Sequence, residues 1–485
     1  MKLVLNGHDE RYVVEQGMLN LFPGERPVYE PIGPGDDSWA VVTLREDDRC
    51  HVTVELCFRG KSLPYSLDVP LVGGEFQREG IRRRAIGKCF FLAARALTGH
   101  TPPWGMLTGV RPVKLPTRAL LSGATPLQAK QELREEYYVS PDRAALAVDC
   151  AQASIAAQRS LKEGEVSLYL GIPFCPTRCA YCSFVSADVG RTLTLVEPYV
   201  DALLKEIDGT ARVLTESGRT IRSFYMGGGT PTTLSARQLD RVLTRCEQVL
   251  PLEGCTELTV EAGRPDTINR EKLEVLRAHG VGRVSINPQT LEDHVLEAIG
   301  RKHSSGDIQT AYDLARKVGF DCINMDLIAG LPLDSLGGFR RSLDGVLAMG
   351  PENITVHTLA MKKGSTLIQR KGALPGGEEV AQMLDYSRTT LSGGYLPYYL
   401  YRQKYMSGSL ENVGWARPGT ESLYNIVMME ELHTVISLGA GGVTKLIDPQ
   451  SGRLLRLSNP KYPQDYLSAG EKLAEQQREM LAFFR

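Results

Sequence analysis

Residues 171–184 read GIPFCPTRCAYCSF and place three cysteines, Cys175, Cys179 and Cys182, on one short segment. The segment follows the β-rich run VSLYLGI, and its Gly and Pro residues are typical of a turn. The three thiols are therefore predicted to lie on a loop at the carboxyl end of a strand. The remaining cysteines are scattered along the chain, and we interpret them as buried apolar thiols.

Three kinds of centre use clustered thiols. A structural zinc site needs four ligands, and the histidines nearest to the cluster in sequence are His100 and His279. A disulfide is disfavoured in a chain without a secretion signal. Three cysteines suit a cubane iron–sulfur cluster with one iron left open for a substrate or cofactor. The C-x3-C-x2-C spacing after a strand favours the cluster.

Short β-rich runs alternate with longer helical patterns on either side of this loop. The runs are VSLYLGI, SFYMGG, ELTVEA, RVSINP, CINMDLIAG and NITVHTLA, beginning at residues 166, 223, 257, 283, 322 and 353. Strand followed by helix, repeated, predicts parallel β/α units with right-handed crossovers. Six units predict an α/β fold with a partial (β/α)6 barrel of the TIM type, whose chemistry sits at the carboxyl ends of the strands.

The flanking regions differ in pattern from this core. Residues 1–164 combine alternating strand patterns with helical runs and predict an α+β N-terminal domain. The barrel is predicted to span residues 165–375, and a small C-terminal domain residues 376–485. Within the latter, YYLYRQKYMSGSLENVGWARPGTES, residues 398–422, is predicted to be a long functional loop.

Composition limits the classes of function. The chain has 485 residues and a net charge of −1, so no net field attracts nucleic acid or an anionic membrane. The N-terminal residues turn polar too soon for a signal peptide, and no stretch reaches the roughly 18 apolar residues of a membrane span. We therefore expect a cytoplasmic protein with reduced thiols and no membrane span.

Polar and glycine residues recur where the predicted strands end. YMGGGTPT contains three consecutive glycines, which let backbone approach a ligand closely, although alone they also fit a tight turn. Glu261, Gln289 and Asp326 end later strands, and Arg301 lies in the helical stretch after the fourth. Singly, each is also explained as a solvated strand end. Together, at one edge of a parallel sheet, they predict the lining of a binding site.

These motifs resemble the radical S-adenosylmethionine superfamily and, within it, the oxygen-independent coproporphyrinogen III oxidase family. The matching segments lie in order between residues 168 and 365 and are LYLGIPFCPTRCAYC, YMGGGTPTTL, TVEAGRP, NPQTLEDHVLEAIGR, NMDLIAGLP and LAMKKGS. The resemblance implies a [4Fe–4S] cluster on the three cysteines, whose open iron chelates S-adenosylmethionine. Cleavage of that cofactor would generate the radical that abstracts hydrogen from the substrate.

The resemblance also implies roles for individual residues. Tyr169 would contact the cofactor near the cluster, and Tyr181 would pack against its adenine. Gly228, Gly229, Thr230 and Glu261 would bind S-adenosylmethionine. The pocket would be extended by Gln289, Arg301, Asp326 and Ala360, several of which belong to a second cofactor site in some members, so one or two molecules are expected.

Two further segments are similar to the HemZ-type branch of the family, WGMLTGVRPVKL in the N-terminal region and NVGWARPGTES after the core. This branch implies oxidative decarboxylation of two propionates of a tetrapyrrole, with an electron donor of the flavodoxin or ferredoxin type. Nucleic acid is not an expected partner, because the chain is neutral. A nucleic-acid modifying enzyme is therefore the least favoured alternative.

One position departs from the oxidase pattern. Oxidases of the best-understood branch carry a fourth cysteine two positions after the third, where this chain has Phe184. The form C-x3-C-x2-C-x-F is also similar to the haem chaperone branch, which predicts a haem carrier as the alternative function. His357 at a strand end could then be a haem ligand, although a hydrogen-bonded core histidine is the simpler interpretation.

Overall fold

All six predicted strands form, and further strands extend the sheet on both sides. The structure, a computed structural model, describes residues 1–183, 187–361, 365, 367, 374–403, 407–449 and 451–485. The strands are β1 (Lys2–Asn6), β2 (Trp39–Glu46), β3 (Arg49–Phe58), β4 (Lys61–Pro70), β5 (Glu165–Ile172), β6 (Phe174–Cys175), β7 (Ala187–Asp188), β8 (Thr220–Gly228), β9 (Glu257–Gly263), β10 (Arg283–Ile286), β11 (Cys322–Ala329), β12 (Asn353–Thr358), β13 (Leu396–Tyr401), β14 (Asn412–Ala416), β15 (Val435–Leu438), β16 (Val443–Ile447) and β17 (Leu454–Ser458).

The predicted runs correspond to β5, β8, β9, β10, β11 and β12. These strands lie side by side in chain order, and every neighbouring pair is parallel. This order is the one that successive right-handed crossovers produce. The strands are largely buried, as expected where helices cover a parallel sheet. The α/β prediction is confirmed, and the loops after these six strands meet at one edge of the sheet.

Helices separate the strands of this core. They are α1 (Arg11–Leu21), α2 (Glu75–Thr98), α3 (Lys114–Leu121), α4 (Pro126–Glu135), α5 (Pro141–Ser160), α6 (Val189–Glu216), α7 (Ala236–Val249), α8 (Arg270–Ala278), α9 (Asp293–Ala298), α10 (Ser305–Val318), α11 (Leu336–Met349), α12 (Gly377–Leu391), α13 (Leu423–Glu430), α14 (Pro463–Leu467) and α15 (Gly470–Phe484), with 3-10 turns at Pro231–Thr233, Pro265–Thr267 and Ser407–Ser409. Local sequence sets several ends. The hydroxyl of Ser235 accepts a hydrogen bond from the Gln238 amide to start α7, and Gly319, at φ 92°, ends α10.

The chain forms two compact units, one of residues 1–148 with 408–410 and one of residues 149–407 with 411–485. The first contains the sheet β1-β2-β3-β4, whose inward side chains pack with those of α1 and α2. It also carries an open cleft of about 550 Å³, which contains none of the motif residues. The three-domain division at residues 164 and 375 stays a prediction.

Strands from the C-terminal region complete the large sheet. β14 pairs antiparallel with β12 and β13, whereas β15 lies parallel to β5 and leads into the antiparallel strands β16 and β17. The prediction of a long loop at residues 398–422 was therefore wrong, since this stretch holds most of β13 and all of β14. Pairing of β14 with β12, and of β13 with β14, stabilises two strands that the interspersed Gly, Pro and Ser residues concealed in the sequence.

None of the helices in the described ranges combines the length and the apolar character that crossing a bilayer requires.

Candidate active site

A cavity of about 290 Å³ lies at the carboxyl ends of the parallel strands. It gathers residues that are distant in sequence, as the motif analysis predicted. The predicted site residues that line it are Cys175, Cys179, Cys182, Tyr181, Gly228, Gly229, Thr230, Glu261, Gln289, Arg301, Asp326 and Ala360. Tyr169 is not part of the lining, and Phe184 lies outside the described residues.

The cysteine loop leaves the end of β5 and is shaped by backbone hydrogen bonds. The amide of Cys182 donates to the carbonyl of Cys179 at 3.1 Å, which closes a tight turn between two of the thiols. Cys175 sits on β6, and its Sγ lies 3.6 Å from the hydroxyl of Thr230. Cys179 is buried, whereas Cys175 and Cys182 are partly exposed. All three thiols thus border the same cavity.

Arg264, which the sequence analysis did not single out, fastens this loop to the rest of the site. Its Nη1 donates to the carbonyl and the hydroxyl of Thr177 at 3.0 and 2.8 Å. Its other donors form a double contact with the carboxylate of Asp266. The guanidinium is only 3% exposed, so this geometry is rigid. The motif TVEAGRP contained Arg264, but nothing in the sequence indicated its contact with the cysteine loop.

The glycine segment after β8 packs directly on β6, the short strand that contains Cys175. A side chain at Gly229 would place its Cβ 2.5 Å from the carbonyl oxygen of Phe174. Gly228 has φ 111°, a conformation that favours glycine. The amides of Gly229 and Thr230 donate to the carbonyls of Ile172 and Phe174 at 2.7 and 2.8 Å. Close backbone approach is therefore required here, as the three glycines indicated.

Glu261 forms the floor of the cavity, where burial raises its pKa to about 7. The hydroxyl of Tyr225 donates to Glu261 Oε1 at 2.6 Å, which opposes that shift. The nearby charge of Asp326 raises the pKa further. The ring of Tyr225 stacks on that of Tyr424 with centroids 4.4 Å apart, and the ring of Tyr169 lies beside both, 6.3 and 6.2 Å away. Tyr169 therefore belongs to the aromatic cluster that packs around Tyr225.

Gln289, in the loop after β10, and Arg301, in the segment between α9 and α10, lie on one wall of the cavity. Arg301 Nη1 donates to the carbonyl of Asn287 at 2.6 Å, and its Nη2 donates to the hydroxyl of Tyr181 at 3.2 Å. The backbone of Gln289 has φ 69°, which is uncommon for a residue other than glycine. Its backbone amide and carbonyl pair with β11 on both sides of Leu327. The strained turn thus holds its side chain at the cavity wall.

The adjoining part of the lining, on β11 to β14, contains groups that the sequence analysis missed or set aside. His357 Nε2 lies 3.6 Å from Oδ2 of Asp326, and its Nδ1 lies 3.5 Å from the hydroxyl of Tyr401. Burial opposes ionisation of Asp326, yet hydrogen bonding and the charge of His357 hold its pKa below the ordinary value. Tyr401 and Asn412 also line the cavity. No sequence signal identified them, because they belong to the predicted loop.

The donor set fits the two expected cofactors. In the described part of the chain, no three His, Cys, Asp or Glu side chains converge as a single ion would require. A cubane instead binds each thiolate through a different iron, so its ligands need not converge. Asn287 Oδ1 and Arg301 Nε are buried at the cavity wall with no hydrogen-bond partner among the described residues. A polar ligand in the cavity would satisfy such atoms.

Comparison with known proteins agrees with this site. Residues 169–343 match the radical SAM superfamily. The chain is 38% identical to the oxygen-independent coproporphyrinogen-III oxidase-like protein HemZ of Bacillus subtilis, over 96% of this chain and 95% of that protein. It is 32% identical to the heme chaperone HemW of Bacillus subtilis, over 54% of this chain and 66% of that protein. The structure of coproporphyrinogen III oxidase (HemN) from Escherichia coli aligns with a TM-score of 0.53 and 24% identity, over 67% of this chain and 73% of that one.

The parallel β/α core with its cysteine loop defines a radical S-adenosylmethionine superfamily enzyme. Within that superfamily the chain belongs to the oxygen-independent coproporphyrinogen III oxidase-like family that includes HemZ. Its cofactors are a [4Fe–4S] cluster and S-adenosylmethionine. The resemblance seen in the sequence is thus confirmed.

Proposed function

We propose that the protein converts coproporphyrinogen III to protoporphyrinogen IX by oxygen-independent oxidative decarboxylation. The observation that carries the proposal is a single cavity that joins the cysteine loop to a polar wall formed by β11, β12 and β13. The 38% sequence identity to HemZ, over 96% of this chain, supports the proposal further. A cofactor site open to a second polar surface suits a substrate bound beside the cluster.

The reaction converts two propionate side chains to vinyl groups. Each loses a hydrogen atom from its β-carbon, carbon dioxide from its carboxylate and one electron, which passes to a one-electron acceptor. The cluster and S-adenosylmethionine supply the electron transfer and the hydrogen abstraction when they are bound. An electron donor of the flavodoxin or ferredoxin type would reduce the cluster.

The residues of the chain would hold and orient these groups. Cys175, Cys179 and Cys182 would bind the cluster. Glu261 would accept a hydrogen bond from the cofactor ammonium, and its pKa of about 7 would fall as that charge arrives. Arg301 would favour a carboxylate near the loop after β10.

The remaining predicted residues would complete the pocket. Gly228 and Gly229 would offer backbone groups, Thr230 would lie beside the cluster, and Tyr181 would pack against the adenine. The extension of the pocket, for one or two cofactor molecules, would be formed by Gln289, Asp326 and Ala360.

The test is anaerobic turnover by the reconstituted protein. With S-adenosylmethionine, a reductant and coproporphyrinogen III, we expect carbon dioxide and 5'-deoxyadenosine to be released together. Cys179→Ala should lose both the cluster and cleavage of S-adenosylmethionine. Cys255→Ala is the matched control, because Cys255 is a partly exposed thiol that does not line the cavity. Deoxyadenosine without carbon dioxide would contradict the proposed substrate.

A haem carrier is the second candidate function. Similarity to HemW and the Phe at position 184 favour it. This candidate function predicts stoichiometric haem binding by the protein that contains its iron–sulfur cluster, and no turnover of porphyrinogen. Release of carbon dioxide from coproporphyrinogen III would reject it as the sole function.

A further inference from the structure

The polar wall formed by β11, β12 and β13 contains a donor for a carboxylate. We propose that Tyr401, positioned by His357 and Asp326, donates a hydrogen bond to a propionate carboxylate of the tetrapyrrole. The inference deepens the proposed function, because it rests on the same cavity and on a substrate with carboxylate groups. It assigns substrate recognition to a strand of the C-terminal region.

The basic side chains of the described lining support this placement. They are Arg264, Arg301 and His357. Arg264 is bound to Thr177 and Asp266, and Arg301 to the carbonyl of Asn287 and the hydroxyl of Tyr181. Both arginines therefore act around the cysteine loop and the β10 loop. His357 lies instead on β12, which four parallel strands separate from β5 in the sheet order.

Tyr401 lines the cavity, and its hydroxyl lies beside His357. His357 lies between the two other groups, with Nε2 3.6 Å from Asp326 Oδ2 and Nδ1 3.5 Å from the Tyr401 hydroxyl. Asn324 Nδ2 donates to Asp326 Oδ1 at 2.8 Å and fixes that carboxylate. The contacts of the imidazole with Asp326 and with the hydroxyl hold the tyrosine in place.

Neighbouring groups keep Tyr401 in place and protonated. Its ring stacks on that of Tyr399, with centroids 6.2 Å apart and planes 8° apart. Burial raises the pKa of Tyr401 to about 12, so the hydroxyl remains a donor at neutral pH. Asn412 Nδ2 donates to the backbone carbonyl of Tyr401 at 3.2 Å. Little conformational entropy is then lost when a ligand binds to this donor.

The test compares two tyrosines of the same strand. Tyr401→Phe removes the proposed donor, whereas Tyr399→Phe removes a hydroxyl whose hydrogen-bond partner among the described residues is Thr355, at 3.5 Å. Binding of coproporphyrin III to the cluster-reconstituted protein is measured by fluorescence. Etioporphyrin III, which has no carboxylates, is the second probe. We expect Tyr401→Phe to weaken coproporphyrin binding roughly tenfold or more, with little change for etioporphyrin. Tyr399→Phe should bind both probes as the wild type does.

A second substitution tests the role of His357 as a positioning residue. His357→Asn should weaken coproporphyrin binding in the wild-type background but add little in Tyr401→Phe, because both changes remove one interaction. It also provides a test if Tyr401→Phe does not fold. Additive losses would overturn the positioning role.

The outcomes separate this inference from the proposed function. If Tyr401→Phe selectively loses coproporphyrin while the wild type releases no carbon dioxide, the carboxylate site stands and the decarboxylase proposal falls. If carbon dioxide is released and Tyr401→Phe binds coproporphyrin normally, the carboxylate site is overturned. Equal loss of both probes would also overturn it, since a collapsed cavity would not distinguish carboxylates.

Discussion

The hydroxyl of Tyr225 donates a 2.6 Å hydrogen bond to Oε1 of Glu261 at the floor of the cavity. Burial raises the pKa of this carboxyl to about 7, against an ordinary value of 4.5, while the hydrogen bond favours its ionised form. Glu261 is therefore balanced between its two protonation states near neutral pH. A cationic ligand group would bind best to the ionised state.

The raised pKa of Glu261 predicts a pH dependence of stability in the cofactor-free protein. Because the folded state holds this proton more tightly than the unfolded state, the contribution is favourable below pH 4.5 and is lost as pH rises to about 7. Relative to Glu261→Gln, the free energy of unfolding of the wild type should fall by up to about 3 kcal/mol across this pH range. Thermal melts of both proteins from pH 4.5 to 8 measure the difference. Parallel melting curves at every pH would contradict it.

Gly229→Ala should disrupt the contact between the glycine segment and the cysteine strand. The added Cβ would lie 2.5 Å from the carbonyl oxygen of Phe174, so backbone must move. We expect a loss of about 1–3 kcal/mol of stability and less iron bound per chain. Gly254→Ala is the control, because the nearest atom to its Cβ is 3.9 Å away. Equal iron contents in the two variants would show that the close approach is not required.

Arg264→Lys should loosen the cysteine loop without removing its positive charge. A lysine cannot reproduce the simultaneous contacts with Thr177 and Asp266. We expect iron to be lost faster in air. The loss is measured as the decay of the cluster absorbance. Arg270→Lys changes an exposed arginine paired with Glu274 and should leave this rate unchanged. Identical decay in all three proteins would rule out a role for Arg264 in holding the loop.

Glu206→Ala should destabilise the packing of the C-terminal region on α6. Burial raises the pKa of Glu206, yet its carboxylate accepts hydrogen bonds from Tyr466, Asn459 and the amide of Gly439. Removing the shared acceptor breaks three buried hydrogen bonds, although Asn459 Nδ2 keeps its bond to the Gly439 carbonyl, at a cost of about 2–3 kcal/mol. Differential scanning calorimetry should show a lower Tm. Glu274→Ala, on the exposed face of α8, should melt as the wild type does.

The parts of the fold that could be predicted from the sequence are those that repeat along the chain or that require particular residue types, such as glycine and cysteine. The six strand runs of the core were recognised because buried parallel strands are rich in β-branched and aliphatic residues. Gly228 and Gly229 were recognised because only glycine tolerates such close backbone contact. The short C-x3-C-x2-C spacing was enough to predict that the three cysteines share one loop. β13 and β14 were missed, because their stability comes from pairing, of β14 with β12 and of β13 with β14, rather than from local pattern.

The sequence by itself determined the class of chemistry, since three cysteines at this spacing and the ordered motifs after them identify a radical S-adenosylmethionine enzyme of the coproporphyrinogen III oxidase-like family. Only the tertiary structure decided which other groups meet those cysteines. Arg264 reaches back to Thr177, and His357 meets Tyr401 across 44 residues, through contacts that depend on strand order. Such contacts leave no periodic trace in the chain, because they arise where the ends of separate strands converge.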